Sequence, residues 1–214
     1  GLNQLDETVL EFVRWVMVRK RDSNAPVPDV VVPELAKAVS ADALVIPEGL
    51  DFTRYDFDLA GEPHRWGDYA IGETIDHVDG VTVEEAEHMI ATRLWQNTAK
   101  VHFDTSARPD GSRLIYGGHV ISMARALSFN GLANAQMIVA LNGGAHANPC
   151  TSGDTIRAWS EVLDKAETAA PGVGAIRLRL VATKGSPTFE LRGEDRKYLP
   201  NVLLDLDYWA LMPV

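Results

Sequence analysis

A histidine and an amide side chain lie five residues apart in the stretch WQNTAKVHFD, and their types and spacing suggest acid–base chemistry on water. A neutral imidazole, here that of His102, can take a proton from water. The amide of Asn97 can orient a water molecule but cannot act as a base. A helical pattern ends near Asn97, so both side chains fall in a loop that can aim polar groups into a cleft. The spacing fits equally a histidine that only satisfies loop carbonyl groups.

A second candidate is the sequence Tyr116-Gly117-Gly118-His119, which directly precedes an apolar helical pattern. Glycines let a ligand approach the backbone closely, and free amides at a helix start favour negative charge. Amides aimed at a developing oxyanion can lower a reaction barrier by about 2.7–4 kcal/mol. His119 would either line the same pocket or pack beside it. The alternative interpretation is that the two glycines form only a tight turn.

The remaining histidines and the single cysteine carry weaker signals. We expect His146 and Asn148 to be structural, and we expect Cys150 to be inert because no partner motif accompanies it. The sequence predicts no metal site, since three further histidines have no companions at the spacing of metal ligands: His64, His77 and His88.

The composition favours a globular protein that binds neither nucleic acid nor a membrane. The 214 residues are 46% hydrophobic, enough for one good core or two small ones. A formal net charge of −10 would repel a phosphate backbone, although a local cluster of Arg and Lys could still bind a small anion. The single cysteine fits a reducing compartment. With no signal peptide and no apolar stretch of about 18 residues, the expected location is the cytoplasm.

Two helices are predicted between residues 82 and 131. The first begins with Thr82-Val83-Glu84-Glu85, which fits a capping box and explains both glutamates better than acid–base chemistry does. Apolar residues at helical spacing follow. The second helix runs from Gly118 to Phe129 and is closed by Asn130-Gly131. Its apolar residues lie on nearly all sides, which predicts a buried helix with a layer wrapped around it.

Four apolar runs downstream predict the strands of that layer: 136–141, 155–163, 175–183 and 202–212. The third run alternates cleanly, with Arg177 and Arg179 on its outer face. The fourth run places Asp205 and Asp207 on its outer face, so antiparallel pairing would set arginines opposite aspartates. A buried helix against antiparallel strands is an α+β layer architecture.

The order of these motifs resembles the MaoC-like hotdog family, the fold of the (R)-specific enoyl-CoA hydratases. The shared features are Tyr69-x-x-Gly72-Glu73, a capped helix, a polar residue five positions before His102, Gly-Gly opening an apolar helix, and Pro149 followed by Gly153-Asp154-Thr155. This likeness covers about residues 66 to 214. Longer runs, among them IDHVDGVTVEEAEHM and SFNGLANA, resemble one member of the family over nearly the whole chain.

The resemblance implies a hotdog fold, a curved antiparallel sheet wrapped around a long central helix, and reversible addition of water to an enoyl-CoA thioester. It places His102 at the family's catalytic histidine and Asn97 at the position of its usual aspartate. The Gly118 amide falls where the family binds the thioester carbonyl, with Gly117 and His119 beside it. We therefore expect His102 to be the principal acid–base group and Asn97 to hold the water or the substrate. No cofactor is implied, because CoA is part of the substrate.

The resembling enzymes carry two hotdog halves in one chain, with the pocket between them. Residues 9–20 predict a strand, and their pattern is similar to that of the last apolar run. We interpret residues 1–22 as the last strand of an incomplete N-terminal half, 23–65 as an ordered linker, and 66–214 as the hotdog domain. A homo-oligomer or an associated N-terminal half would complete the pocket. The alternative functions are a non-catalytic acyl-CoA-binding or assembly half that needs a partner chain, and thioester hydrolysis.

Overall fold

The computed structural model describes residues 1–16, 18, 20–185 and 188–214, and the chain divides into two compact units, residues 1–35 and 36–214. The second unit contains a set of strands: β1 (Thr74–Thr82), β2 (Met137–His146), β3 (Thr155–Glu167), β4 (Val173–Lys184) and β5 (Val202–Pro213). Its α-helices are α1 (Phe57–Ala60), α2 (Glu85–Leu94), α3 (Gly117–Leu127) and α4 (Phe129–Leu132). Short 3-10 turns lie at 41–43, 66–68, 100–102 and 105–107.

These strands form one antiparallel sheet in the order β1-β3-β4-β5-β2. The core lies between the inward face of this sheet and helix α3, because alternate residues of each strand point to one side. It is built from Ile176, Leu178 and Leu180 of β4, Leu204, Leu206 and Tyr208 of β5, and Val120, Ala124 and Leu127 of α3. The predicted α+β class is confirmed.

Helix α3 is buried along one side rather than on nearly all sides, as the sequence had predicted. Val120 and Ala124 are buried against the sheet, whereas Ser122 and Ala126 are exposed. Apolar residues all around a helix need cover on all sides, and the sheet of this chain covers only one. The predicted end at Phe129 with Asn130-Gly131 as its cap is wrong: α3 ends at Leu127 with Ser128 as its C-cap, and Gly131 lies within α4, where its φ of +88° is non-helical.

The predicted capping box at the start of α2 is wrong. Thr82 is the last residue of β1, where it pairs with Thr155, and the two hydroxyl groups lie 2.8 Å apart. A residue held in a sheet cannot also begin a helix, so the N-cap is Glu84, which makes no side-chain capping bond. Glu85 and Glu87 in the first turn favour the helix through its dipole instead.

Residues 39–52 pack on the outer face of the sheet, within the second unit. The backbone amide of Val39 donates to the Asn142 side chain at 2.9 Å, and its carbonyl accepts from the Trp209 indole at 3.0 Å. Phe52 donates through its amide to the carbonyl of Pro171 at 2.9 Å. The second unit therefore begins at Ala36, and the domain boundaries proposed from the sequence stay predictions.

In the first unit, residues 9–16 form no strand, contrary to the prediction for residues 9–20. Two residues of that predicted strand, Met17 and Arg19, lie outside the described residues. A strand requires a hydrogen-bonded neighbour, and the described part of the chain offers none to residues 11–16. Phe12 and Trp15 are exposed. Within the part of this unit that the structure describes, a bridge between Leu2 and Thr8 closes a local turn.

The charged pairs predicted across the outer face of β4 and β5 are present. Arg177 binds Asp207 through two hydrogen bonds of 2.6 and 2.9 Å, and Asn142 donates to the same carboxylate at 2.7 Å. Arg179 lies 3.3 Å from Asp205 and 2.9 Å from Glu161. The prediction that these arginines meet these aspartates is confirmed, and the contacts are diagonal: in the register Arg177 lies opposite Trp209 and Arg179 opposite Asp207.

We expect Asp207→Ala to lower the free energy of unfolding by about 1 to 2 kcal/mol, because it leaves the partly buried Arg177 and Asn142 without their shared acceptor. Denaturant unfolding of the wild type and the variant measures the change. The exposed Glu194 provides the matched control, and Glu194→Ala should alter the unfolding free energy by less than about 0.5 kcal/mol. Equal effects of the two substitutions would contradict a stabilising role for the pair.

Candidate active site

His102 is half-buried on the short turn Lys100–His102, and its ring orientation is set by a backbone carbonyl. The Nδ1 atom lies 2.9 Å from the carbonyl oxygen of Leu114. Since a carbonyl only accepts, Nδ1 carries the proton and the other ring nitrogen, Nε2, is an acceptor. The imidazole is thus held in the tautomer that a general base requires.

Asn97 shapes the loop that leads to His102. Its Oδ1 accepts the amide of Ala99 at 2.9 Å, and the carbonyl of Ala99 accepts the amide of His102 at 3.0 Å. The Asn97 backbone amide donates to the carbonyl of Thr92 at 3.0 Å, which ties the loop to α2. The side-chain oxygen is therefore engaged, while Nδ2 makes no hydrogen bond with the residues that the structure describes.

Helix α3 begins at Gly117, with two amide groups directed away from the helix. The carbonyl of Tyr116 accepts the amides of His119 and Val120 at 2.9 and 3.3 Å. Among the described residues, the amides of Gly117 and Gly118 have no partner, as expected for the first turn of a helix. Two such donors at the positive end of the helix dipole can stabilise an oxyanion.

Aromatic rings pack closely against both glycines. A Cβ atom at Gly118 would lie 2.6 to 2.7 Å from atoms of the Tyr116 ring, and one at Gly117 would lie 2.5 Å from Nε2 of His146. The Tyr116 and His102 ring centroids are 5.8 Å apart. The Tyr116 ring therefore joins the two candidate groups that the sequence singled out, His102 and the glycine pair, into one site.

His119 packs on the inner side of α3. It is 4% exposed, and burial lowers its pKa below the usual value of histidine. Its Nε2 atom has no hydrogen-bond partner among the described residues, and the nearest charged atom is Oε1 of Glu87 at 3.8 Å. The burial of His119 agrees with packing, and its place beside the substrate stays a prediction.

His88 belongs to the site although the sequence gave it no role. Its side chain is fully buried on α2, and Nε2 accepts the backbone amide of Tyr116 at 2.9 Å. Its ring centroid lies 6.5 Å from that of His102 and 5.9 Å from that of His119. Burial, with the neighbouring imidazoles adding to it, lowers the pKa of His88 to about 4. The only sequence signal was its position beside Ala91 and Thr92 on the buried face of α2.

His146 lies at the edge of the site, and its expected structural role stays a prediction. It ends strand β2, and its ring lies against the backbone of Gly117. Burial lowers the pKa of His146, and a proton on the neighbouring His102 would act in the same direction. Asn148, in contrast, donates to the carbonyls of Leu199 and Val202 at 2.9 and 2.7 Å, as a structural amide does.

Cys150 and the other histidines lie outside the site. Burial raises the pKa of the Cys150 thiol to about 12, which agrees with an inert cysteine. His77 bonds the Asn130 carbonyl and the Ser160 hydroxyl.

Across residues 1–16, 18, 20–185 and 188–214, no three His, Cys, Asp or Glu side chains are grouped as a metal ion would need. None of the helices in those ranges has the length and apolarity to cross a membrane.

The fold is similar to that of a MaoC-like protein of known structure. A solved structure named as a putative MaoC domain protein dehydratase, from Chloroflexus aurantiacus, has a TM-score of 0.92 and 54% identity, covering 99% of this chain and 62% of that one. The predicted hotdog fold is confirmed. No family model matches the chain.

The chain is also similar to two named proteins. It is 78% identical over 214 residues to mesaconyl-CoA hydratase from Cereibacter sphaeroides, and 55% identical over 221 residues to beta-methylmalyl-CoA dehydratase from Chloroflexus aurantiacus. The likeness extends over 100% of this chain, which spans 62% of the length of each relative. The resemblance inferred from the sequence motifs is thereby confirmed.

The lowered pKa of His88 predicts that acid destabilises the fold. Between pH 6.5 and about 4, the unfolded imidazole binds a proton that the folded one excludes, so the free energy of unfolding falls as the pH decreases. The contribution of His88 to this loss is on the order of 2 kcal/mol at pH 5. Denaturant unfolding at pH 7.5 and 5.0 should show a smaller difference for His88→Gln than for the wild type. The same difference in both proteins would contradict the prediction.

Proposed function

We propose that this chain supplies the acid–base histidine and the oxyanion-binding amides for reversible addition of water to an enoyl-CoA thioester. One observation carries the proposal: the imidazole of His102, with Nε2 as an acceptor, lies beside Tyr116, the residue that precedes two free amides. The substrate pair we propose is mesaconyl-CoA and β-methylmalyl-CoA, on the strength of the names that the two relatives carry.

In the proposed reaction, Nε2 of His102 accepts a proton from water as the water oxygen bonds to the β-carbon of the enoyl group. The π electrons shift towards the thioester oxygen, and the amide of Gly118, with that of Gly117 beside it, stabilises the enolate. The imidazolium then returns its proton to the α-carbon. The reverse sequence removes water. No cofactor enters this scheme.

Asn97 has a supporting role in the proposal. Its Oδ1 is engaged by the amide of Ala99, so it holds the loop in the shape that presents His102. Its Nδ2 can donate to the attacking water or to the substrate. Because an amide does not take up a proton at neutral pH, His102 alone carries the acid–base chemistry between these two residues.

The free carboxylate of the proposed substrate needs a cationic partner. Of the four arginines considered, Arg113 is the best placed to bind it. Its Nε donates at 3.1 Å to the carbonyl of Phe103, the residue after His102, and its guanidinium pairs with the exposed Glu85. The other three are less suitable: Arg125 is committed to Ser128 and Ala135, Arg157 to the Val78 carbonyl, and Arg93 lies in the last turn of α2.

We further propose that another hotdog half, from the rest of the protein or from a second copy of this chain, completes the pocket. The side of the site formed by the end of α2 is open, with Leu94 72% and Trp95 53% exposed. This opening also favours the alternative function, an acyl-CoA-binding or assembly half without activity of its own. The cytoplasmic location stays a prediction.

Replacement of His102 tests the proposed base. In the intact protein, His102→Gln should lower kcat for mesaconyl-CoA hydration by about 100-fold or more, since a positioned general base contributes 10²- to 10⁴-fold. The rate is followed as the loss of enoyl-thioester absorbance. The exposed His64, which pairs with Glu62, gives the control variant His64→Gln. A His102 variant within a few-fold of the wild-type rate would remove this residue from the mechanism.

Replacement of Gly118 tests the amide donors. A methyl group at this position meets the Tyr116 ring, so Gly118→Ala should shift either the ring or the start of α3. We expect a fall in kcat of about tenfold or more, with a folded protein by circular dichroism. Gly143→Ala is the matched control, because a Cβ there meets nothing within 4 Å. Equal kcat values for the two variants would argue against a role for the Gly118 amide.

The alternative function is tested by mixing. We expect the 214-residue chain to gain hydratase activity when a separately expressed remainder of the intact protein is added, because the open side of the site is then covered. Activity of the chain alone, unchanged on mixing, would show that a second copy suffices. A mixture that binds the remainder and acyl-CoA without any change in absorbance would favour the non-catalytic role, and release of free thiol would indicate thioester hydrolysis.

A further inference from the structure

We infer that His88 is a positioning residue, which holds the start of helix α3 so that the amides of Gly117 and Gly118 point at the substrate. This inference rests on the proposed function. The bond that carries it is the 2.9 Å hydrogen bond from the Tyr116 backbone amide to Nε2 of the fully buried His88. Tyr116 is the N-cap of α3, so this bond fixes the peptide that directly precedes the free donors.

The neighbouring Thr92 does not compete with Tyr116 for the acceptor Nε2 of His88. The Thr92 hydroxyl lies 3.2 Å from Nε2 of His88, but it also lies 2.8 Å from the His88 carbonyl, which can only accept. The single hydroxyl proton therefore serves the carbonyl. The acceptor lone pair of Nε2 is then available to the amide of Tyr116, 28 residues along the chain.

The other ring nitrogen shows why packing alone does not explain a histidine here. With Nε2 accepting, Nδ1 must carry the ring proton, and it is buried without an acceptor among the described residues. Leaving a polar group unpaired destabilises a fold, so an apolar side chain of similar size would pack here without that penalty. The acceptor that Nε2 offers to the Tyr116 amide explains why a histidine occupies this position.

The surroundings of His88 keep that acceptor available. The ionisable groups that act on His88 are the imidazoles of His102 and His119, the guanidinium of Arg113 and the carboxylate of Glu85. Burial lowers the pKa of His88 to about 4, and the first three of these groups act in the same direction, so the ring is neutral at pH 7. A neutral ring can accept from an amide, whereas an imidazolium cannot.

Two variants of the intact protein, His88→Gln and His88→Asn, test the inference because they differ by one methylene. The Gln side-chain oxygen reaches about as far as Nε2, whereas the Asn oxygen ends near the position of Nδ1. We expect Gln to keep kcat for mesaconyl-CoA within about threefold of wild type. We expect Asn to lower it about 10- to 100-fold, with KM changed by less than about threefold, since misaimed amides weaken transition-state binding most.

Hydrogen exchange of the Tyr116 amide provides a readout that does not depend on activity. The amide should exchange slowly in the wild type and the Gln variant and faster in the Asn variant. Equal kcat values and equal exchange rates in the two variants would overturn the inference. If the Asn variant does not fold, the Gln variant decides: a protected Tyr116 amide with kcat lowered more than tenfold would overturn it. An inactive wild type would instead refute the proposed function, while the exchange rates would still report on the bond.

Discussion

The free amides of Gly117 and Gly118 are the constraint on which the proposed chemistry depends. The first turn of any helix leaves amides without partners, but a catalytic donor must also be held in one place. Burial of Val120 and Ala124 under the sheet fixes the helix from below. The hydrogen bond from Tyr116 to His88 fixes it from the side. By packing against α3, the sheet thus helps to fix the position of the two amides.

Two buried histidines illustrate how the same side chain serves structure or function. His77 is fully buried and both of its ring nitrogens have partners, the Asn130 carbonyl at 2.7 Å and the Ser160 hydroxyl at 2.9 Å. His88 is equally buried, yet Nδ1 has no partner among the described residues. A satisfied imidazole ties strands and loops together at little cost. An imidazole with one unpaired nitrogen, such as that of His88, suggests that its hydrogen bond to Tyr116 has a role beyond stability.

Much of the fold follows from local patterns in the sequence, and the failures have identifiable causes. The alternation in β4 and β5 predicted that Arg177 and Arg179 meet Asp205 and Asp207, because residues of period two share a face. Strand β1 was missed, since an irregular register between Asp76 and Gly80 breaks its alternation. The strand expected from residue 9 onwards is absent at residues 9–16, because a strand depends on a neighbour, which no local pattern supplies.

The site was predictable only where one short segment supplied the groups. His102 and the glycine pair each lie in a local motif, and the structure brings the two motifs together through the Tyr116 ring. His88 and His146 reach the same place by tertiary packing, from α2 and the end of β2, so spacing in the sequence gave no sign of them. The roles of Asn97 and His102 stay predictions.

A crystal structure of the intact protein with an unreactive acyl-CoA analogue tests the central claim most directly. The account predicts that the thioester-mimicking oxygen lies within about 3.2 Å of the Gly118 amide nitrogen, and that the β-carbon faces Nε2 of His102. An acyl chain bound elsewhere, or one whose carbonyl oxygen contacts neither Gly117 nor Gly118 while His102 points away from it, would contradict the account.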